Sequence, residues 1–242
     1  METRSCTLPN GRHTCVNCVK KVHSLFDGLS PDELALLDSH RNVVGYRKDE
    51  VIYKEGTKPM GLLCLNTGKV KLTRRGKNGS EQIVGLKRPV DFIDVRSVIG
   101  DWSYSHSAVA LENSSVCFID RNDFLSVVQA NPKLSLKIIR MFASELDDAD
   151  RRFIDLTQLL LRERLAATLL YLRSFYGTQS DGKTLNCTIK RADLAGLSNM
   201  NVANVIRTIS AFEKEGIVVS EKKKIVILNE KALHDLAASK TN

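Results

Sequence analysis

The sequence predicts an α+β chain: an N-terminal antiparallel roll or sandwich of short strands, a long amphipathic helix, and a C-terminal winged helix-turn-helix. Three observations predict it. Between Val43 and Phe124 short β-rich runs alternate with glycine-marked turns. From Pro132 the apolar period becomes seven residues. Over residues 188–228 two short helical stretches and a tight polar connection lead into a hairpin with a lysine-rich tip.

Residues 1–24 form a polar arm carrying Cys6, Cys15 and Cys18. At Leu29-Ser30-Pro31-Asp32-Glu33, Ser30 can cap a helix, Pro31 suits its first position, and Glu33 completes a capping box. The helix is expected to run to about Leu37. Strands are expected at Val51–Tyr53, Leu62–Leu65, Val70–Leu72, Gln82–Val84, Ala108–Leu111 and Val116–Ile119. Period alone does not choose between roll and sandwich.

Beyond Pro132, Ile139, Leu146, Phe153 and Leu160 recur every seven residues, with Phe142, Ala149 and Leu156 at the alternate positions. Glu145, Asp147, Asp148, Asp150, Arg151 and Arg152 flank this seam. An apolar seam with such polar flanks reads as a helix that pairs with its copy in a homodimer; the plainer reading is a core helix of one subunit. A second amphipathic helix follows over Arg162–Tyr176, with the domain joint near Leu161. The expected division is 1–24 arm, 25–131 strand-rich domain, 132–161 dimer helix and 162–242 winged helix-turn-helix.

In that last region Lys190–Leu197 and Val202–Lys214 are the two helices. Val202, Val205, Ile206, Ile209 and Phe212 make an apolar stripe on the second, and Gly216 ends it. Ile217–Val219 and Ile225–Leu228 form the hairpin. Residues 188–228 carry seven basic and four acidic side chains. Such a unit docks double-stranded DNA by placing the N-terminal end of its second helix in the major groove. Asn201, Ala203, Asn204 and Arg207 are the candidates for base contacts: arginine bonds guanine and asparagine bonds adenine in two places, and alanine can touch a thymine methyl. Lys190, Arg191, Thr208, Lys222, Lys223 and Lys224 are the candidates for phosphates. The alternative is a solvated helical face beside a basic turn.

The formal charge of +8 over 242 residues agrees with a polyanionic partner. No apolar run approaches the ~20 residues of a membrane span, and no apolar signal segment opens the chain, so a cytoplasmic location with no membrane partner is expected. Motifs for a P-loop, a nucleophile elbow or a zinc protease are missing and the five histidines are scattered; an enzyme is not expected. Cys64 and Cys187, in or beside apolar runs, read as core packing.

Ordered pieces along nearly the whole chain resemble the CRP/FNR family of regulators. They are Phe26–Ser30, Gly68–Leu72, Asp91-Phe92-Ile93, Ala110-Leu111-Glu112, Glu163–Ala166 and Arg191–Ala195; Val205–Thr208 is similar to a Bacteroidetes-type branch. The resemblance implies a β-roll (a cyclic-nucleotide-binding-like jelly roll), an inverted-repeat operator bound by a dimer, and RNA polymerase as a protein partner. The family's Glu-x-x-Ser/Gly-Arg reading set appears here as Ala203, Ile206 and Arg207. The family's cyclic-nucleotide phosphate contacts fall on Ile93-Asp94-Val95 and His106-Ser107-Ala108, where both the Glu and the Arg are missing, which argues against cAMP. Cys15 and Cys18 resemble the N-terminal pair of an FNR-type iron–sulfur cluster and Cys117 its distant ligand. The next N-terminal slot holds Ser24, so Cys6 would supply the fourth thiolate. A Cys15–Cys18 redox pair or zinc clip is a second reading. A third is structural cysteines, with a small-molecule effector in the roll or DNA binding without any signal.

Overall fold

Alternation of apolar residues along short strands builds a roll with two separate cores. The computed structural model of the protein describes residues 24–76, 79–221 and 223–238; Cys6, Cys15, Cys18 and Lys222 lie outside them. The strands are β1 (Asn42–Tyr46), β2 (Val51–Tyr53), β3 (Gly61–Thr67), β4 (Val70–Arg75), β5 (Glu81–Lys87), β6 (Phe92–Ile93), β7 (Ser107–Ala110) and β8 (Ser114–Asp120). They form two four-stranded sheets, β1–β8–β3–β6 and β2–β7–β4–β5. The pairs β1–β8, β3–β8, β3–β6, β2–β7 and β4–β7 are antiparallel. Successive side chains of a strand face opposite ways. Leu65 and Val116 therefore join Tyr53, Val70, Leu72 and Ala108 between the sheets. Leu62, Cys64, Cys117 and Ile119 face a layer of helices.

That layer comprises α1 (Pro31–Ser39), α2 (Val95–Gly100), α3 (Arg121–Ala130) and the start of α4 (Pro132–Gln158). They contribute Leu34, Leu37, Val95, Val98, Phe124, Val127, Leu134 and Ile138 to the core. The Ser30 capping box is present: Glu33 N donates to Ser30 Oγ at 3.2 Å, and Ser30 N to Glu33 Oε2 at 2.7 Å. β1, β6, α2 and α3 were not anticipated. The sign of α3 is Asp120, whose carboxylate accepts from Asn122 N and Asp123 N at 2.7 and 3.2 Å.

The chain divides into two compact units. One holds the chain up to Arg74 and Val84–Glu145; the other holds Arg75–Ile83 and the chain from Leu146 onward. The second unit is built from the rest of α4, α5 (Leu161–Tyr176), α6 (Arg191–Ser198), α7 (Val202–Lys214), β9 (Val218–Glu221), β10 (Lys224–Ile227) and α8 (Glu230–Ala237). Its core centres on Leu165, Leu169, Leu194, Val205, Phe212 and Leu233, all fully buried.

Along α4 the seam residues Ile139, Leu146, Ala149 and Phe153 are exposed, Phe153 at 68%. Phe142 is half-buried against the roll's own core and Leu156 is half-buried. Leu160 departs from the expected seam helix. α4 ends at Gln158, and Leu160 is instead the exposed residue preceding α5, its backbone N–H donating to Glu163 Oε2 at 2.7 Å. Among the described residues no helix is long and apolar enough to cross a membrane.

Candidate nucleic-acid interface

The interface is assembled from α6, α7 and the β9–β10 hairpin. Lys190 precedes α6, and its backbone N–H donates to the buried Asp193 carboxylate at 3.3 Å. Asn199, in the left-handed region at φ 50°, ends the helix and turns the chain. Asparagine accepts that conformation more readily than most residues. The hydroxyl of buried Ser198 donates to Leu194 O at 2.7 Å, which satisfies that buried polar group.

Asn201 caps α7: its Oδ1 accepts from Asn204 N at 2.7 Å. Val205, Ile209 and Phe212 are buried, which leaves Asn201, Ala203, Arg207 and Ser210 exposed and Asn204 half-buried. The Arg207 guanidinium donates to Asn204 Oδ1 at 2.6 Å. The candidate base contacts thus lie on one face of the helix start, and three of them, Asn201, Asn204 and Arg207, are linked by hydrogen bonds.

The structure differs from the expected stripe at three positions. Thr208, expected at a phosphate, is only 8% exposed and turned toward the core beside Val205 and Ile209. Val202 and Ile206, expected inward, are 41% and 49% exposed. A threonine hydroxyl can bond a carbonyl of its own helix, so a polar residue occupies a buried slot at little cost.

The wing follows from Gly216, at φ 68°, which ends α7 and starts the turn into β9. β9 and β10 pair antiparallel from Glu221↔Lys224 to Val218↔Ile227. Ser220 N donates to Glu213 Oε1 at 3.0 Å, tying the wing to α7. The Arg191 guanidinium, half-buried, donates to the Ser220 hydroxyl, so part of its bonding capacity is used within the unit. Lys223 and Lys224 are exposed at the tip.

Inside the roll, the stretches that would face a cyclic nucleotide hold a buried polar cluster. Asp94 begins α2 with φ 56°, and its Oδ2 accepts from Ser97 Oγ at 2.7 Å. His106 Nε2 lies 2.9 Å from the Tyr53 hydroxyl and 3.8 Å from Asp94 Oδ2. Asp94 and His106 are both buried. Burial lowers the His106 pKa, more strongly than nearby Asp94 raises it. Burial also pushes the Tyr53 and Tyr104 phenols far up, and their rings stack at 3.7 Å. Asp94 Oδ1 lacks a hydrogen-bond partner.

Cys117 is buried directly across from Cys64, on the helix-facing side of β3 and β8. Arg41 Nη1 donates to Cys117 Sγ at 3.5 Å. Ser24, Phe26, Arg41, Cys64, Phe92 and Cys117 line a small pocket in the same unit. Cys64 and Cys187 are buried, as core packing requires. Among the described residues no three His, Cys, Asp or Glu side chains cluster as a metal site would need.

A jelly roll followed by a long helix and a winged helix-turn-helix defines a class: a sensory domain coupled to a DNA-binding one. The model for the cyclic nucleotide-binding domain matches residues 43–131, and that for the Crp-like helix-turn-helix domain matches residues 163–236. The chain belongs to the CRP/FNR family of transcription regulators. It is 25% identical over 233 residues to the Anaerobic regulatory protein of Aggregatibacter actinomycetemcomitans, covering 94% of this chain and 89% of the relative. It is also 25% identical over 211 residues to the CRP-like cAMP-activated global transcriptional regulator of Mycobacterium tuberculosis, covering 86% and 94%. The structure of FixK2 from Bradyrhizobium japonicum matches with a TM-score of 0.74 at 25% identity, over 83% of this chain and 99% of that one.

Proposed function

We propose that the protein works as a homodimer on an inverted-repeat operator and that a redox or oxygen signal, received through the N-terminal cysteines and Cys117, sets its occupancy. The observation that carries the dimer is the exposed seam Ile139, Leu146, Ala149 and Phe153 on one helix, in a chain whose α7 presents a single recognition face. Two such faces related by a two-fold axis read two half-sites about one helical turn, ~34 Å, apart. RNA polymerase is the protein partner this role implies, and the cytoplasm is where it would act.

Cys117 supports the signal. Its sulfur accepts a hydrogen bond from a guanidinium, a contact that a thiolate strengthens, and iron–sulfur clusters are held by thiolates. The pocket beside it includes Ser24, six residues after Cys18. Cys6, Cys15 and Cys18 would complete a four-thiolate set with it. A zinc clip at Cys15 and Cys18 is the rival chemistry. The Bacteroidetes-type assignment rests on Val205–Thr208 alone.

A second reading rests on the Tyr53–His106–Asp94 cluster. A carboxylate held where the family holds a phosphate repels an anion, so the roll would take a ligand other than cAMP, or none, and the cysteines would be structural.

Protein purified under strict anaerobiosis, assayed for iron, acid-labile sulfide and visible absorbance, decides among these. Stoichiometric iron and sulfide, lost in Cys117→Ser, support the cluster. A colourless protein with stoichiometric zinc supports the clip. A colourless, metal-free protein whose operator affinity ignores reductant overturns the redox reading.

A further inference from the structure

The recognition face of α7 is less polar than its asparagines suggest. Asn201 Oδ1 is taken by the backbone of Asn204, and Asn204 Oδ1 by the Arg207 guanidinium. Reading adenine requires an asparagine to offer its oxygen and its nitrogen together. Each amide oxygen already accepts one bond and keeps a single lone pair for a base, so both asparagines serve first as positioning residues: one caps the helix, the other aims Arg207.

What remains beside Arg207 at the N-terminal end of the exposed arc is a set of carbon side chains, with the Ser210 hydroxyl one turn further along. At 100° per residue, Val202, Ile206 and Ala203 lie within one 100° sector, with Arg207 a further 40° round. Val202, Ala203 and Ile206 are exposed on this face, while Val205, Thr208, Ile209 and Phe212 hold the opposite one. An isoleucine side chain half in water, beside the one guanidinium of a DNA-reading helix, is matched by one feature of a base edge. In the major groove only thymine presents a methyl group, the C5-methyl.

We propose that Ile206, with Val202 and Ala203 beside it, reads thymine through that methyl, so that each half-site combines a guanine set by Arg207 with adjacent thymines. This rests on the DNA-reading role proposed above for α7. Apolar burial, not hydrogen bonding, then supplies discrimination next to Arg207. One buried methyl corresponds to about a fourfold change in affinity.

The test uses the full-length, reduced protein. Duplexes are selected from a random pool, and the selected sequence is remade with deoxyuridine for thymine, which deletes only the methyl. The expected result is thymines beside the guanine in each half-site, and a loss of about fourfold for each contacted methyl in the unaltered protein. Ile206→Ala, at an exposed position, is expected to bind thymine and uracil duplexes within twofold of each other. Uracil in the spacer between half-sites leaves affinity unchanged. Equal binding of both duplexes by the unaltered protein, or an undiminished thymine preference in Ile206→Ala, overturns the thymine reading while leaving DNA recognition standing. A pool that yields no preferred sequence overturns DNA reading by α7 and this inference with it.

Discussion

In the proposed reading, Arg207 is the side chain on which discrimination between operators turns. Its hydrogen bond to Asn204 fixes the fork before DNA arrives, and a pre-oriented bidentate contact to guanine is worth about 1–3 kcal/mol of discrimination. Arg207→Ala is therefore expected to lower operator affinity about 5- to 150-fold while leaving affinity for random duplex nearly unchanged. Competition titrations against random DNA check this; an equal fall in both affinities makes Arg207 a phosphate contact instead. His106 carries a different kind of prediction. Burial holds its folded pKa below the ordinary 6.5, against the opposing pull of Asp94 and with Arg96 and Lys87 acting in the same direction as burial. The unfolded chain therefore binds the proton first. Stability is full above the ordinary histidine value and declines as pH falls through and below it. Urea denaturation near neutral pH and near pH 5 should show that decline, and His106→Gln should flatten it. An unchanged slope in the variant would assign the acid sensitivity to another group.

Elements were legible where period and caps agree. The Ser30–Glu33 box marks the start of α1, and Ser30→Ala is expected to destabilise the fold by about 1 kcal/mol, read from denaturation midpoints at constant slope. Val202–Lys214 was bounded correctly because Asn201 caps it and Gly216 closes it. α3 escaped notice because it follows the strand Val116–Ile119 without an intervening glycine or proline; only Asp120 and the Phe124–Val127 spacing announce it. Thr208, Val202 and Ile206 were placed on the wrong faces because polarity was taken as a measure of exposure. The polar cluster at Tyr53, Asp94 and His106 was half-legible. The missing Glu and Arg were plain in the sequence, but the contact of His106 with Tyr53 joins residues 53 positions apart in the chain. The helical period of α4 was legible but its end at Gln158 was not, and the pairing proposed from that period bears the sharpest test at this scale. Phe153 is exposed in the single chain, so Phe153→Glu leaves the protomer fold intact and places a charge within the proposed seam. Sedimentation should give monomers, with operator binding lost. A stable dimer carrying this change excludes α4 as the interface.

Across the whole molecule, charge and symmetry act together. The chain carries a formal +8, and Lys223 and Lys224 stand exposed at the tip of a wing that Ser220 and Glu213 fasten to the recognition helix. Grip on phosphate displaces counterions, so the logarithm of affinity falls with the logarithm of salt by about 0.9 for each phosphate neutralised. In a dimer, a protomer substituted Lys223→Ala and Lys224→Ala removes both lysines from each wing. If every one of them meets a phosphate, the salt slope should shrink by about 3.6. Because these contacts carry no base information, binding to operator and to random duplex should weaken in parallel, leaving their ratio intact. Arg207→Ala should do the reverse, changing the ratio while barely moving the slope. The two variants thus separate grip from reading, and combining the lysine changes with Phe153→Glu, read on random duplex, shows how symmetry multiplies grip. A monomer has half the phosphate contacts, so the lysine changes should cost it about half the slope, about 1.8. A salt slope that ignores the lysine substitutions in both dimer and monomer would remove the wing from the interface and leave α7 to hold DNA alone.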